Sequence, residues 1–558
     1  MKPLFSFIFA ALLSFVYAHA VEIDGICYYI SGDEAIVTLK NLSDYDYEPS
    51  YSGEVVIPSS ITYDGKTYSV TSIGESAFID CSRLTSVTIP GSVKSIGRSA
   101  FMGCSGLTSV TMGDGVTSIG SSAFMECRSL TSVNIPNSVT IVDDYTFEDC
   151  TGLTSVTIPG SVKSINKSAF NGCSSLTSLE IGDGVTSIGD AAFGGCTSLT
   201  SVDIPNSLTS IGVSVFYECT SLASVTVPES VTSIGRQAFH KTVWYDKQPD
   251  GLIYLGKVAY KYKGEMPEET QIEIKDGTTQ IAGEAFYHCT GLVSINIPNS
   301  VTSIDGYAFQ GCTGLTTVTL PEGLTNIGEY TFCGCRNLVS VNIPDGVTEI
   351  HDYTFHNCTR LASVAIPDGV KNIGSHGFSK CSSLVSVTIP ESVTSIGDFA
   401  FFRCSGLTSL PIPSGVTIIN FSSFYGCSGI KSFTIPSSVK TIDKGAFSNC
   451  SGMTDMFCYA ENVPSAYEIT FEGTRISVAT LHVPADSVEK YQKSLPWKNF
   501  GSIVAIGDDS VIGDDGTSIR PTPDPSRNGG ETYDLSGRRI PAKHQRGVYI
   551  EDGRKVVK

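Results

Sequence analysis

Several things are scarce in these 558 residues: tryptophan occurs twice, methionine seven times and histidine eight times. Positive charge is also short, with 37 Lys and Arg against 56 Asp and Glu, a net charge of −19. An acidic surface repels phosphate backbones, so nucleic acid is a poor partner. Past the first twenty residues no apolar run is long enough for a membrane helix. There is no G-x-S-x-G elbow, no H-E-x-x-H, no P-loop and no G-G-x-G-x-D calcium repeat. The cysteines lack the close Cys-x-x-Cys pairs of a zinc site. His351, His356 and His376 fall on neighbouring repeats, where exposed loop histidines are a better reading than a metal site. These absences argue against an enzyme and give no cofactor a foothold.

What is present is a period. A Phe and a Cys, three residues apart, recur every 23 residues: Phe78 to Phe239, then Phe286 to Phe447, with Cys81 to Cys219 and Cys289 to Cys450. Thr242, after Phe239, breaks the pairing. A fixed period of about 20–30 residues marks a solenoid, whose turns bury their apolar columns only by stacking. The unit reads C-x-x-L-x-S-V-x-I-P-x-x-V-x-x-I-x-x-x-A-F-x-x, as in Cys381 to Arg403. L-x-S-V-x-I is rich in β-branched residues and stops at Pro, so it predicts a short strand. V-x-x-I predicts a second strand after a turn such as Asn137-Ser138 or Asp345-Gly346. The fold class is therefore mainly β, a solenoid of 23-residue turns.

The cysteine column admits two readings. Equivalent positions on adjacent turns lie within the Cα range of a disulfide, yet a buried column also suits one small apolar thiol per turn. Between the inward columns the first strands present Thr85, Ser86 and Thr88, Thr108, Ser109 and Thr111, and their equivalents, varied by Asn134, Glu180, Asp203, Asn296 and Asn342. That extended polar face is either a binding surface or merely solvated sheet.

The columns L-x-S-V-x-I-P, V-x-x-I-G and A-F-x-x-C, as at Leu407, Phe401 and Cys404, closely resemble BspA-like, treponemal-type leucine-rich repeats over about residues 51–500. The resemblance implies an exported bacterial surface protein with a binding role, several such proteins being described as adhesins for host matrix proteins or other cells. It implies no particular ligand.

The ends and one interruption complete the reading. Lys2, the apolar run Leu4 to Val16 and Ala18-His19-Ala20 fit a signal peptide over 1–20. Residues 21–68 read as an N-terminal β cap with a hairpin at Asp64-Gly65. Repeats occupy 69–239 and 276–480, and 240–275 is an insertion whose segments Leu252–Leu255 and Val258–Tyr262 pair around Gly256-Lys257. Trp244, Tyr245, Tyr254, Tyr260 and Tyr262 make it the most aromatic place on the chain. Those rings either pack the hairpin onto its own coil or form a contact site, since aromatics are enriched at interfaces. A C-terminal cap spans 481–506, with a short helix over Ser487–Leu495 carrying Val488, Tyr491 and Leu495 on one face and Trp497 sealing the last turn. A linker over 507–531, rich in Asp, Gly, Ser and Pro, leads to a basic tail at 532–558. In that tail 532–539 and 546–550 read as strands. The tail resembles the last part of Bacteroidetes type IX sorting signals, although the full signal domain is longer, so a vestigial tail is the alternative.

Two functional classes follow. One is a cell-surface or secreted binding protein for a protein or glycan, host matrix among them. The other is a structural spacer with no specific ligand. Nothing in the sequence bears on oligomeric state.

Overall fold

The computed structural model describes residues 20–40, 51–507, 548–551 and 554–557. The signal-peptide reading therefore lies outside the described residues except for Ala20, as do nearly all of the linker and the tail up to 547. The chain forms two compact units, Met1–Lys263 and Gly264–Lys558.

In the first unit each 23-residue period is one turn of a coil. Leu84–Ile89, Ser109–Met112, Ser132–Asn134, Ser155–Ile158 and Ser178–Ile181 stack as parallel strands. Their register carries each column onto its equivalent, Val110 opposite Val133 and Val156 opposite Leu179. Two-residue strands such as Ser164–Ile165, Ser187–Ile188 and Ser210–Ile211 form the second side. On the third side every other amide pairs with the next turn: Ser76, Phe78 and Asp80 N–H donate to the carbonyls of Arg98, Ala100 and Met102 at 2.9, 2.7 and 2.7 Å. This alternation needs left-handed backbone twice per turn, here at Ser76 and Asp80, both with φ 56°. The turns approach so closely that a Cβ on Gly97 would lie 2.6 Å from the Glu75 nitrogen, which explains glycine there.

The Phe column is the spine of the core. Phe78, Phe101, Phe124, Phe147, Phe170, Phe193, Phe216 and Phe239 are fully buried, with successive ring centroids 4.8–5.6 Å apart. The cysteine question resolves toward thiols: none of the 18 is in a disulfide and the column is buried. From the second cysteine of each column onward, the thiol also has a partner one turn back. Cys104, Cys127, Cys150 and Cys173 Sγ–H donate to the carbonyls of Phe78, Phe101, Phe124 and Phe147 at 3.0–3.3 Å. A small apolar side chain with one weak donor fits that place.

The N-terminal cap is antiparallel, Val21–Ile23 on Ile26–Ser31 on Glu34–Thr38. Tyr51 closes the Phe column, its ring 4.5 Å from Phe78. Its hydroxyl accepts from Cys27 N–H at 3.0 Å and donates to Thr38 carbonyl at 2.8 Å. The hairpin expected at Asp64-Gly65 joins Ser60–Tyr63 to Lys66–Ile73, both turn residues having positive φ.

The second unit repeats the same turn. Thr270–Glu273, Leu292–Asn296, Thr317–Thr319, Ser340–Val341, Ser363–Ala365 and Ser386–Thr388 stack in parallel, beside a second Phe column that ends with Phe471, 5.8 Å from Phe447. Ser432–Ile435, Asp455–Cys458, Thr480–Val483 and Ser502–Ala505 form its last parallel sheet. Trp497 is fully buried, stands edge-on to Phe471 and donates from Nε1 to Pro464 carbonyl at 3.1 Å. The capping helix is shorter than expected, Val488–Lys493; Tyr491 is buried beneath it, but Leu495 is past its end and exposed. Val548–Glu551 forms a strand as expected, but its partner is Arg554–Val557, whereas 532–539 lies outside the described residues.

Candidate binding surfaces

In the first unit the repeat breaks at Thr242. Its hydroxyl donates to Phe239 carbonyl at 2.8 Å and accepts Tyr245 N–H at 3.1 Å, capping the short helix Val243–Asp246. A thiol, a weak acceptor, would cap poorly, so Thr replaces Cys where a helix starts. The hairpin follows, Gly251–Leu255 antiparallel to Val258–Lys263 around Gly256-Lys257. Lys263 Nζ ties it back by donating to the carbonyls of Asp246 and Gln248.

The five aromatic candidates divide. Trp244 tilts against Phe239 at 5.3 Å and Tyr260 meets the same ring edge-on at 6.0 Å. Tyr260 is buried and its hydroxyl accepts Phe239 N–H at 3.0 Å. These two pack onto the last ring of the first Phe column. Tyr245 leans on His240 at 5.8 Å and is half-buried, as are Tyr254 and Tyr262.

The second unit holds an aromatic surface that sequence reasoning missed. Two residues before each Phe of the column stand Tyr307, Tyr330, Tyr353, His376 and Phe399, stacked with centroids 4.7, 4.4, 4.3 and 4.6 Å apart. All five are half-buried. The signal lay in the outward columns: most turns of the first unit carry Ser at this place, as at Ser76, Ser99, Ser122, Ser168 and Ser214. A second row one residue after the Phe column adds Phe402 and Tyr425, whose rings are 4.8 Å apart.

His356 and His376 belong to this surface. Their rings are 5.9 Å apart, and neither Nδ1 has a hydrogen-bond partner. Burial, with Lys380 and His376 nearby, pushes His356 down to about 4. Both are half-buried instead of the exposed loop histidines expected, His376 stacked between Tyr353 and Phe399 and His356 tilted against Tyr353. Among the described residues no group of three His, Cys, Asp or Glu is placed to hold a metal. Cys333, the one half-buried thiol, is held up at about 11 by burial.

The polar strand face is present. Thr108, Ser109 and Thr111 are exposed, as are Asn134, Glu180, Asp203, Asn296 and Asn342. Part of its polarity is spent inside the fold. Thr108, Thr154 and Thr177 hydroxyls donate to the equivalent carbonyl one turn back at 2.9–3.1 Å, and the Asn342 amide donates to and accepts from the Leu320 backbone at 2.9 Å.

Comparison with known proteins agrees with this architecture. The family model described as BspA type Leucine rich repeat region matches over residues 71–197, 140–248, 254–385 and 371–495. A leucine-rich repeat protein from Bacteroides ovatus is 29% identical over 75% of this chain and 95% of its own, with a TM-score of 0.40. A leucine rich cell surface protein from Faecalibacterium prausnitzii is 23% identical over 88% of this chain and 96% of its own, with a TM-score of 0.28. A T. pallidum leucine rich repeat protein is 27% identical over 40% of this chain and 90% of its own, with a TM-score of 0.30. No curated protein matches. With matches of the repeat model running along most of its length, the chain belongs to the family of BspA-type leucine-rich repeat proteins.

Proposed function

We propose that this is an exported surface protein that binds a macromolecule, protein or glycan, through the outward edges of its repeats. The observation that carries this reading is the aromatic ladder Tyr307–Tyr330–Tyr353–His376–Phe399. All five residues have positive φ, 55–65°, a region unfavourable for bulky side chains. Such strain costs on the order of 1–3 kcal/mol per residue, whereas a stacked pair contributes about 0.5–1.5 kcal/mol. Stability alone therefore does not call for rings where Ser serves on other turns. Strained aromatic residues gathered on one surface fit a contact site. Tyr245, Tyr254 and Tyr262 on the first unit's hairpin are proposed as a second contact area, with Trp244 and Tyr260 holding the hairpin in place.

A spacer without a ligand is the second reading, favoured by the first unit, where five of the eight turns carry Ser in this column and only Tyr145 is aromatic. The double variant Tyr330→Ser, Tyr353→Ser tests the ladder, because the fold itself places Ser at this φ elsewhere. Binding to purified matrix proteins, glycans and bacterial cells should fall more than tenfold, about 1.4 kcal/mol, with the melting curve kept. No binding of the unaltered chain to any of these probes would leave the spacer, and unchanged binding by the folded double variant and by Tyr245→Ala, Tyr262→Ala would move the contact to the Thr- and Ser-lined strand face.

A further inference from the structure

We propose that the second unit carries a pocket for an anionic glycan, a linear polysaccharide bearing carboxylate or sulfate groups, on the turns between Thr359 and Asn449. This deepens the binding role proposed above and rests on it. The pocket has a volume of about 510 Å³ and no carboxylate in its lining. Its wall includes Lys380, Arg403, Tyr425, Ser382, Ser405 and Asn449.

The charge is the first argument. On a chain of net charge −19, Lys380 and Arg403 lie two residues after Phe378 and Phe401, on consecutive turns. In the first unit the same column carries Asp80, Glu126, Asp149 and Glu218, and its one cation, Lys241, is ion-paired to Glu218 at 2.7 Å. Neither cation is ion-paired to a described residue, and both are exposed. Like charges on neighbouring turns repel, and an anion between them relieves that repulsion. Arg403 is also positioned: its guanidinium lies 5.2 Å from the centre of the Phe402 ring. A Cβ on Gly426 would approach its Cγ to 3.2 Å, so glycine on the next turn leaves its stem room.

The lining chemistry and spacing are the second argument. A serine hydroxyl recurs on three successive turns, Ser382, Ser405 and Ser428, beside the cations of two of them, with one phenol and one amide completing the wall, which suits the hydroxyl and acid groups of such a glycan. Phe378 and Phe401 ring centroids are 5.5 Å apart, close to the advance of one sugar residue, so consecutive sugars meet consecutive turns. Beside the pocket Phe399 and Phe402 offer ring surface, 5.6 Å apart and edge-on. The three serine hydroxyls, the phenol and the amide offer hydrogen bonds that sugar hydroxyls would use and that the side chains of an acidic peptide, which are carboxylates alone, would use only in part.

The test is titration of the full chain with chondroitin sulfate, hyaluronan and dextran oligosaccharides and with poly-glutamate. A charged glycan should bind, more weakly as salt rises, and dextran should not. Binding of chondroitin sulfate alone assigns the sulfate as the recognised group; binding of hyaluronan assigns the carboxylate. The double variant Lys380→Asn, Arg403→Asn should lose at least tenfold with its melting curve unchanged, because Asn357 and Asn449 occupy the same column at φ 61° and 56°. The proposal is overturned if neither charged glycan binds, if the folded variant binds as before, or if poly-glutamate binds as tightly as the glycans. Should the Tyr330→Ser, Tyr353→Ser variant still lose another ligand in that case, only this pocket falls. A chain that binds nothing on either panel overturns the binding role as well.

Discussion

At the scale of single residues, the repeat is held by side chains that each serve two neighbouring turns. Phe309 is fully buried, with Phe286 at 5.3 Å on one side and Phe332 at 5.4 Å on the other. Phe309→Ala opens a cavity shared by three turns and should destabilise the second unit by about 3–5 kcal/mol. Coupling in a repeat array runs between neighbours, so limited proteolysis should cut first near residue 309. Simultaneous loss of protection over every turn would contradict the nearest-neighbour picture. The cysteines complete the same columns. Burial pushes the Cys150 and Cys381 thiols up to about 12, which keeps them protonated as donors to the Phe carbonyls. The repeated F-x-x-C was legible in the sequence, but the S–H···O contact was not, because its acceptor belongs to another turn.

At the scale of elements, the hairpin Gly251–Lys263 shows how an insertion is docked. Its aromatic residues were visible as a cluster, yet their division into packing and surface roles was not. Tyr260 accepts the Phe239 amide at the point where the hairpin register shifts, between Lys261 opposite Ile253 and Ala259 opposite Tyr254, a bulge that re-aims its side chain, while half-buried Tyr262 lies two residues on. Tyr260→Phe keeps the ring and removes the acceptor, leaving the Phe239 N–H unsatisfied at a cost of about 1–3 kcal/mol. Hydrogen exchange should therefore accelerate at Phe239 and along Val243–Asp246, with the N-terminal strands unaffected. Equal exchange in both proteins would count against this docking. The helix Val488–Lys493 is the parallel case. Its buried Tyr491 followed from periodicity, whereas Leu495 was misplaced because the helix stops two residues before it.

At the scale of the whole molecule, the family places this chain among bacterial leucine-rich repeat proteins, and placement outside the cell remains part of the proposed function. That part rests on Ala18-His19-Ala20 and on the basic end Arg554, Lys555 and Lys558. Expressed in a bacterium with the type IX route, the mature protein should begin at Val21 by N-terminal sequencing. Removal of Thr532 to Lys558 should hold it within the envelope with the repeats folded. Full surface yield from the truncated chain would show that the tail does not sort.

The sequence by itself determined the turn. Twenty-three residues, six apolar columns and a Pro stop leave few ways to bury Leu, Val, Ile and Phe except by stacking, and stacking repeats whatever the period repeats. It also determined where the stack is interrupted, because Thr242 replaces a Cys and the apolar columns lapse after it. The tertiary structure alone decided what the outward residues do. Tyr330, Tyr353 and His376 are 23 residues apart in sequence and about 4.4 Å apart as rings, and Lys380 and Arg403 share a wall only because the coil brings one turn against the next. Inward positions announce themselves through a hydrophobic pattern that any solenoid must satisfy. Outward positions are free to vary, and only the stacking of turns determines which of them meet.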